Sequence, residues 1–345
     1  MGSMRTLPVG RSVEMRRFTL FLDQVGVPWR SRAERIGLPG HVPDGNTYLP
    51  THLVIQFLGD IVLRENYFEM TAQAYAANNG SLGPKKKKLS GRVERAFLSA
   101  PTLYAGLRAF CDTARLEWSH LRFWIKETHE YVWICSLLPL RGNPRGIEQL
   151  VQSRIIGIVG LIEQYLGFFW RPDMLLLETQ TIPSPMMAEV IDCGRIIPGA
   201  SFSAVPVPKT LLSRGGLQVR PAAGATPFDG FGEDVSDWTW LKCLQAMLPE
   251  YVIDSQVSIE HVAEIANVSS RTLQRALSDN GVTFRDLVAN ARLEVARRKL
   301  ADPSMKIDEI GRLLGYSEST HFTRAFRRYT GRTPSEYRKD LTKLA

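Results

Sequence analysis

The last third of the chain writes one helical pattern twice, which restricts that part to an all-α domain built from two copies of a short unit. Residues 259–281, IEHVAEIANVSSRTLQRALSDNG, and residues 307–331, IDEIGRLLGYSESTHFTRAFRRYTG, align along most of their length. The second copy carries one extra residue before its second helix and one after it. Apolar residues recur at three- and four-residue spacing, Ile259, Val262, Ala263 and Ala266 in one copy and Ile307, Ile310, Leu313 and Leu314 in the other, the period of a helix with one buried stripe. Asn267 and Gly315 then tolerate the left-handed backbone that ends a helix. Ser269 and Ser317 place a hydroxyl where it can cap the next helix.

That next helix divides by face. Leu273, Ala276 and Leu277 share one side in the first copy, and Phe322, Ala325, Phe326 and Tyr329 in the second; both sides are assigned to the core. The opposite side carries Arg271, Gln274, Arg275 and Ser278, and Thr320, Thr323, Arg324 and Arg327. Each set recurs at helical spacing and so forms one stripe. A helix fits the major groove of DNA, where Arg bonds guanine bidentately, Gln bonds adenine and a Thr methyl touches thymine. One polar stripe is most often a solvated face. Two in-phase helix-turn-helix copies favour the groove.

Between the copies, TFRDLVANARLEVARRKLAD predicts a linker helix over about 284–301, with Thr283 as its N-cap, Asp286 near its positive end and Pro303 marking its stop. Such a helix is roughly 27 Å long, against about 34 Å for one turn of B-DNA. It could hold two reading helices over successive major grooves, a rigid spacing that selects or bends DNA.

The run RLEVARRKLADPSMKIDEIGRLLGYSESTHFTRAFRRYTGRTPSEYR resembles the signature region of the AraC/XylS family of bacterial transcription regulators. The likeness spans residues 238–340 and includes the closing stretch with Gly331, Pro334 and Tyr337. It implies sequence-specific binding of double-stranded DNA near promoters, usually with activation through contact with RNA polymerase. By position, the family's base-contacting places fall on Arg271, Gln274 and Arg275, and on Ser319, Thr320, Thr323 and Arg324. His321 adjoins them, as a structural or phosphate contact more than a base reader.

Charge is concentrated in the same region. From Arg271 onward there are 16 Lys and Arg against 9 Asp and Glu, a net +7 out of +8 for the chain. Phosphate contacts from Arg and Lys supply most non-specific DNA affinity. Arg297, Arg298, Lys299, Arg327, Arg328 and Arg332 are the candidates for them.

At 345 residues the chain fits about two domains. The division expected is an effector-binding or dimerisation domain over 1–212, a glycine-rich linker over 213–237 and the DNA-binding domain over 238–345, opened by a helix capped by Asp237 and stopped by Pro249. The first part has helical spacing over 50–66, 101–116 and 147–166, the last with Arg154, Glu163 and Gln164 on its wet face. Residues 121–138 predict a hairpin turning at 128–130, and 174–180 and 201–212 two further strands. The fold class expected is therefore an α+β sensor-like domain followed by an all-α domain with two helix-turn-helix motifs and a linker helix. The first part is similar, more loosely, to the arabinose-binding-type domain of some AraC-like regulators, which implies a small-molecule effector or a homodimer without naming the effector. Trp118, Phe123, Trp124, Tyr131, Trp133 and 168–170 could line its pocket, although core packing explains them as well. Lys85–Lys88 form an exposed basic run that could attract an anionic effector or DNA phosphates.

No apolar run is long enough to span a membrane. The N-terminal stretch lacks the apolar block of a secretory signal. Four scattered cysteines without a CxxC pair fit a reducing cytoplasm and no zinc or disulfide framework. No reactive constellation for an enzyme is present: Cys111, His120 and His129 lack helical metal-ligand spacing, the GIVG segment at 157–160 is too short and too helical to cradle phosphate, and the PCHR-type motif and zinc cluster of AraC-like alkyl-transfer repair proteins are missing. No cofactor is expected. A ligand-independent repressor or architectural protein remains the alternative.

Overall fold

The computed structural model describes residues 7–43, 45, 47–79, 91–167, 170–215, 238–253 and 257–344, in two compact units within residues 8–220 and 221–345. The first unit is mixed. In chain order it holds β1 (Val9–Arg11), α1 (Val13–Gln24), α2 (Arg30–Ile36), β2 (Tyr48–Pro50), α3 (Thr51–Glu65), α4 (Met70–Asn79), α5 (Arg92–Leu98) and α6 (Leu103–Glu117). There follow β3 (Arg122–Glu127), β4 (Tyr131–Leu137), α7 (Pro144–Leu166), β5 (Leu175–Leu176), α8 (Pro185–Ile191), β6 (Ile196–Ile197) and β7 (Ser203–Pro208).

The expected hairpin forms. The Thr128 N–H donates to the Tyr131 carbonyl at 2.8 Å to close its turn, and the register sets Ile125 opposite Ile134. The sheet runs β3-β4-β7-β5-β6, antiparallel except for β5 with β6. Because side chains alternate across a strand, Phe123, Ile125, Val132 and Ile134 join the core. Trp124 and Trp133 fall on the other face. There Trp124 stacks edge-on against Phe202 and Trp133 lies beside Tyr131, so neither belongs to a core cluster.

α7 is the central helix of this unit, and after Pro144 none of its residues is exposed. α3 lies close against it because Gly146 has no side chain; a Cβ there would sit 1.9 Å from the Ile55 carbonyl oxygen. The wet face expected at Arg154 and Glu163 is absent. Arg154 pairs with Glu178 at 3.0 Å, both nearly buried, and Glu163 pairs with Arg171 at 2.8 Å. Helical period marks those positions as polar, but their partners come from after α7, so period cannot distinguish water from a buried ion pair.

The second unit is all-helical: α9 (Trp240–Tyr251), α10 (Ile259–Ile265), α11 (Ser270–Asp279), α12 (Phe284–Leu300), α13 (Ile307–Leu313), α14 (Ser319–Thr330) and α15 (Pro334–Leu344). α12 packs against α9, α13 and α15. Its Thr283 cap forms as expected, accepting from the Asp286 N–H at 3.1 Å. α9 corrects two expectations. Its N-cap is Thr239, which accepts from Lys242, while Asp237 lies outside the described residues. Pro249 sits inside the helix instead of stopping it, since a proline in the last turn forfeits one hydrogen bond where few remain to be made. Residues 216–237 of the expected linker, Lys85–Lys88 and Phe168–Phe169 are also outside the described residues.

Candidate nucleic-acid interface

α10 and α11 are joined by the same turn as α13 and α14. Asn267 (φ 53°) and Gly315 (φ 78°) take the left-handed backbone. The following N–H then reaches back over the helix end, Val268 to the Ala263 carbonyl at 2.9 Å and Tyr316 to the Gly311 carbonyl at 3.0 Å. This closure satisfies carbonyls that the ending helix leaves free. The copies differ after the turn. Ser269 caps α11, accepting from the Thr272 N–H at 3.1 Å, whereas Ser317 does not cap α14, because the extra residue moves the N-cap to Glu318.

The apolar faces anchor these helices. Leu273 and Leu277 are buried on α11, Phe322 and Phe326 on α14. Phe322 lies tilted against Phe326 at 5.8 Å, and Phe326 meets Tyr337 edge-on at 5.5 Å, which fastens α14 to α15. Tyr329, expected in the core, is 41% exposed. It has the phase of Phe322 and Phe326 but sits in the last turn, where the packing partners run out.

The polar stripes face outward. Arg271, Gln274, Arg275 and Ser278 are all exposed on α11; on α14 Thr320, His321, Arg324, Arg327 and Arg328 are exposed, with Ser319 and Thr323 half-buried. Arg271, Gln274 and Arg275 therefore share one accessible face, as do Thr320, Thr323, Arg324 and Arg327. His321 stands beside its stripe, 4.0 Å from Glu318. Arg297 at the end of α12 is exposed. Arg298 is not placed for a phosphate: its side chain is 9% exposed and it pairs with Glu294 at 3.1 Å one turn back. Arg332 is exposed but engaged by Asp340 at 2.6 Å.

One exposed group escaped the sequence reading. Glu318 stands at the N-cap position of α14 without a side-chain capping bond, is mostly exposed and accepts from the Thr320 hydroxyl at 3.0 Å. It stabilises the positive end of the helix and can accept from cytosine N4 in a groove. The one-residue insertion relative to the first copy was its only signal.

Cys111 and Cys135 are poor nucleophiles. Burial pushes the Cys111 thiol up to about 12 and Cys135 to about 11, so both stay protonated. Among the described residues no group of three His, Cys, Asp or Glu side chains could hold a metal, and no helix is long and apolar enough to cross a membrane.

Residues 262–340 match a helix-turn-helix domain family. HTH-type transcriptional regulator VqsM of Pseudomonas aeruginosa is 40% identical over 88 residues, 26% of this chain and 27% of that protein. Among solved structures, transcriptional regulator CdpR of Pseudomonas aeruginosa is 20% identical over 95% of this chain and 98% of that one, with a TM-score of 0.40. A transcriptional regulator with an AraC-type DNA-binding domain from Chromobacterium violaceum is 28% identical over 29% of this chain and 91% of that one, with a TM-score of 0.27. The chain aligns with about a quarter of the length of the curated relatives it matches.

Proposed function

We propose that residues 262–340, which match a helix-turn-helix domain family, form an AraC-type DNA-binding domain, and that the chain is a sequence-specific transcription regulator in which α11 and α14 both read DNA. The observation that carries the reading is the double occurrence of one geometry: a left-handed turn, a back-closing N–H and an outward stripe of Arg, Gln and Thr. At 17 residues, α12 is about 26 Å long, which suits two helices entering successive major grooves on one side of a duplex.

Arg271, Gln274 and Arg275, with Ser319, Thr320, Thr323 and Arg324, are the proposed base readers. His321, Arg327, Arg328 and Arg297 are the proposed phosphate contacts. The unit within 8–220 is proposed as the sensor, with a small-molecule effector and RNA polymerase as further partners and activation as the outcome; a partly open cavity in that unit supports effector control over a ligand-independent protein. The test is selection of bound duplexes from a random pool by the full chain. Enrichment of one shared motif is expected, and a pool that stays random rejects sequence-specific reading.

A further inference from the structure

The first unit holds a partly open cavity of about 500 Å³ lined by residues of β1, α1, α3, α5, α6, β3 and α7, a volume typical of sites for drug-sized molecules. Most of its wall is apolar, including Met15, Phe110, Trp118, Phe123, Ile156 and Leu161. Of the aromatic residues the sequence offered for a pocket, Trp118 and Phe123 reach this wall, whereas Trp124, Tyr131 and Trp133 do not.

Two glycines open the space. Gly157 and Gly160, the ends of the GIVG segment, lie one turn apart on α7 and line the cavity. A Cβ on Gly160 would meet nothing within 4 Å, and one on Gly157 only the Tyr75 hydroxyl at 4.0 Å. Neither has a positive φ or a close neighbour to require glycine. Glycine inside a helix weakens it relative to alanine, and what these two secure is room.

The charges around the cavity are already matched. Glu14 pairs with Arg17, Glu117 with Arg11, Arg154 with Glu178 and Glu163 with Arg171. Arg17 also donates to Tyr75 and, at 3.1 Å, to Ser153, and Glu94 lies within reach of its charge. Burying a further charge without a counter-charge is costly. His120 also lines the cavity, with almost no accessible surface at either ring nitrogen. Burial lowers the His120 imidazole to about 4, with a Val9 backbone hydrogen bond opposing and the Arg154 charge adding, so it is neutral at neutral pH and brings no charge to the wall.

We propose that this cavity binds an uncharged, mostly apolar small molecule, received beside Gly157 and Gly160. The proposal deepens the sensor reading above and rests on it for the consequence of binding. The test is a fluorescence titration of the full chain with the neutral probe phenylnaphthylamine at neutral pH, followed by displacement with decanol, decanoate and decyltrimethylammonium. The probe should bind saturably, and decanol should displace it at concentrations at least about tenfold below either charged analogue, since only those bury a new charge. Gly157→Leu and Gly160→Leu, made separately, should each weaken probe binding about tenfold or more without lowering the unfolding temperature, because each fills space that is empty. Absence of saturable binding, a charged analogue that competes as well as decanol, or probe binding unchanged in a folded leucine variant would overturn the proposal. The titration contains no DNA, so its failure leaves DNA reading untouched, and a failed duplex selection leaves the cavity result standing.

Discussion

The Tyr316 N–H donates to the Gly311 carbonyl at 3.0 Å, so the turn before α14 closes on a residue that is itself pressed against that helix. A Cβ on Gly311 would lie 3.3 Å from Cβ of Phe322, whereas the first copy has Ala263 at the matching place. The Arg292 guanidinium lies 5.7 Å from the Tyr316 ring centroid and ties the turn to α12. α14 is thereby fixed to α12 through its turn as well as through its own core face.

Gly311→Val forces two extra methyl groups toward Phe322. It should destabilise the fold by about 1–3 kcal/mol, the range for overpacking, read as a lower unfolding temperature. A variant as stable as the parent would show that the α13–α14 approach is loose.

Arg275→Ala and Arg324→Ala should each cost about 1–3 kcal/mol on the selected duplex and relax preference at one base position. Competition titrations against single-base variants of the duplex check this. Unchanged affinity in either variant removes that stripe from the interface.

Arg297 and Arg298 are adjacent and should behave differently. Arg297→Ala should weaken all duplexes alike and reduce the dependence of affinity on salt by about one ion. Arg298→Ala should act mainly on stability, since its side chain is 9% exposed and bound to Glu294. Equal salt slopes for parent and Arg297→Ala would contradict the phosphate assignment.

The periodic features were legible from sequence alone: the two helix pairs, the left-handed positions Asn267 and Gly315, the Thr283 cap, and the 121–138 hairpin all follow from local rules. What sequence could not supply was the environment of polar positions. Arg154, Glu163 and Arg298 have surface chemistry and helical surface spacing, yet ion pairs hold each one inward. Ser317 was misplaced as a cap for a related reason, since one inserted residue decides which side chain stands at N-cap. The cavity at Gly157 and Gly160 depends on packing among elements spread in sequence from β1 to α7.

Burial pushes the Glu163 carboxyl up to about 7, with Arg171 pulling down and Asp192 adding to the rise. The folded chain therefore holds this proton over a range where the unfolded chain, near an ordinary value of about 4.3, has lost it. Its contribution to stability falls as pH rises from about 4.3 to about 7, and the penalty is fully present above that. Glu163→Gln removes the titration while Arg171 keeps Asp192 at 2.7 Å. Relative to the parent, its unfolding temperature should gain more at about pH 8 than at about pH 5. A larger gain at the acidic end would contradict the sign.

The most direct test of the two-helix account is protection of guanine N7 from methylation by the full chain on its selected duplex. The account predicts two protected blocks in the major groove, centred about one helical turn (10–10.5 bp) apart on one side of the duplex, one lost in Arg275→Ala and the other in Arg324→Ala. Protection confined to a single block, or two blocks that each depend on the same arginine, would contradict it.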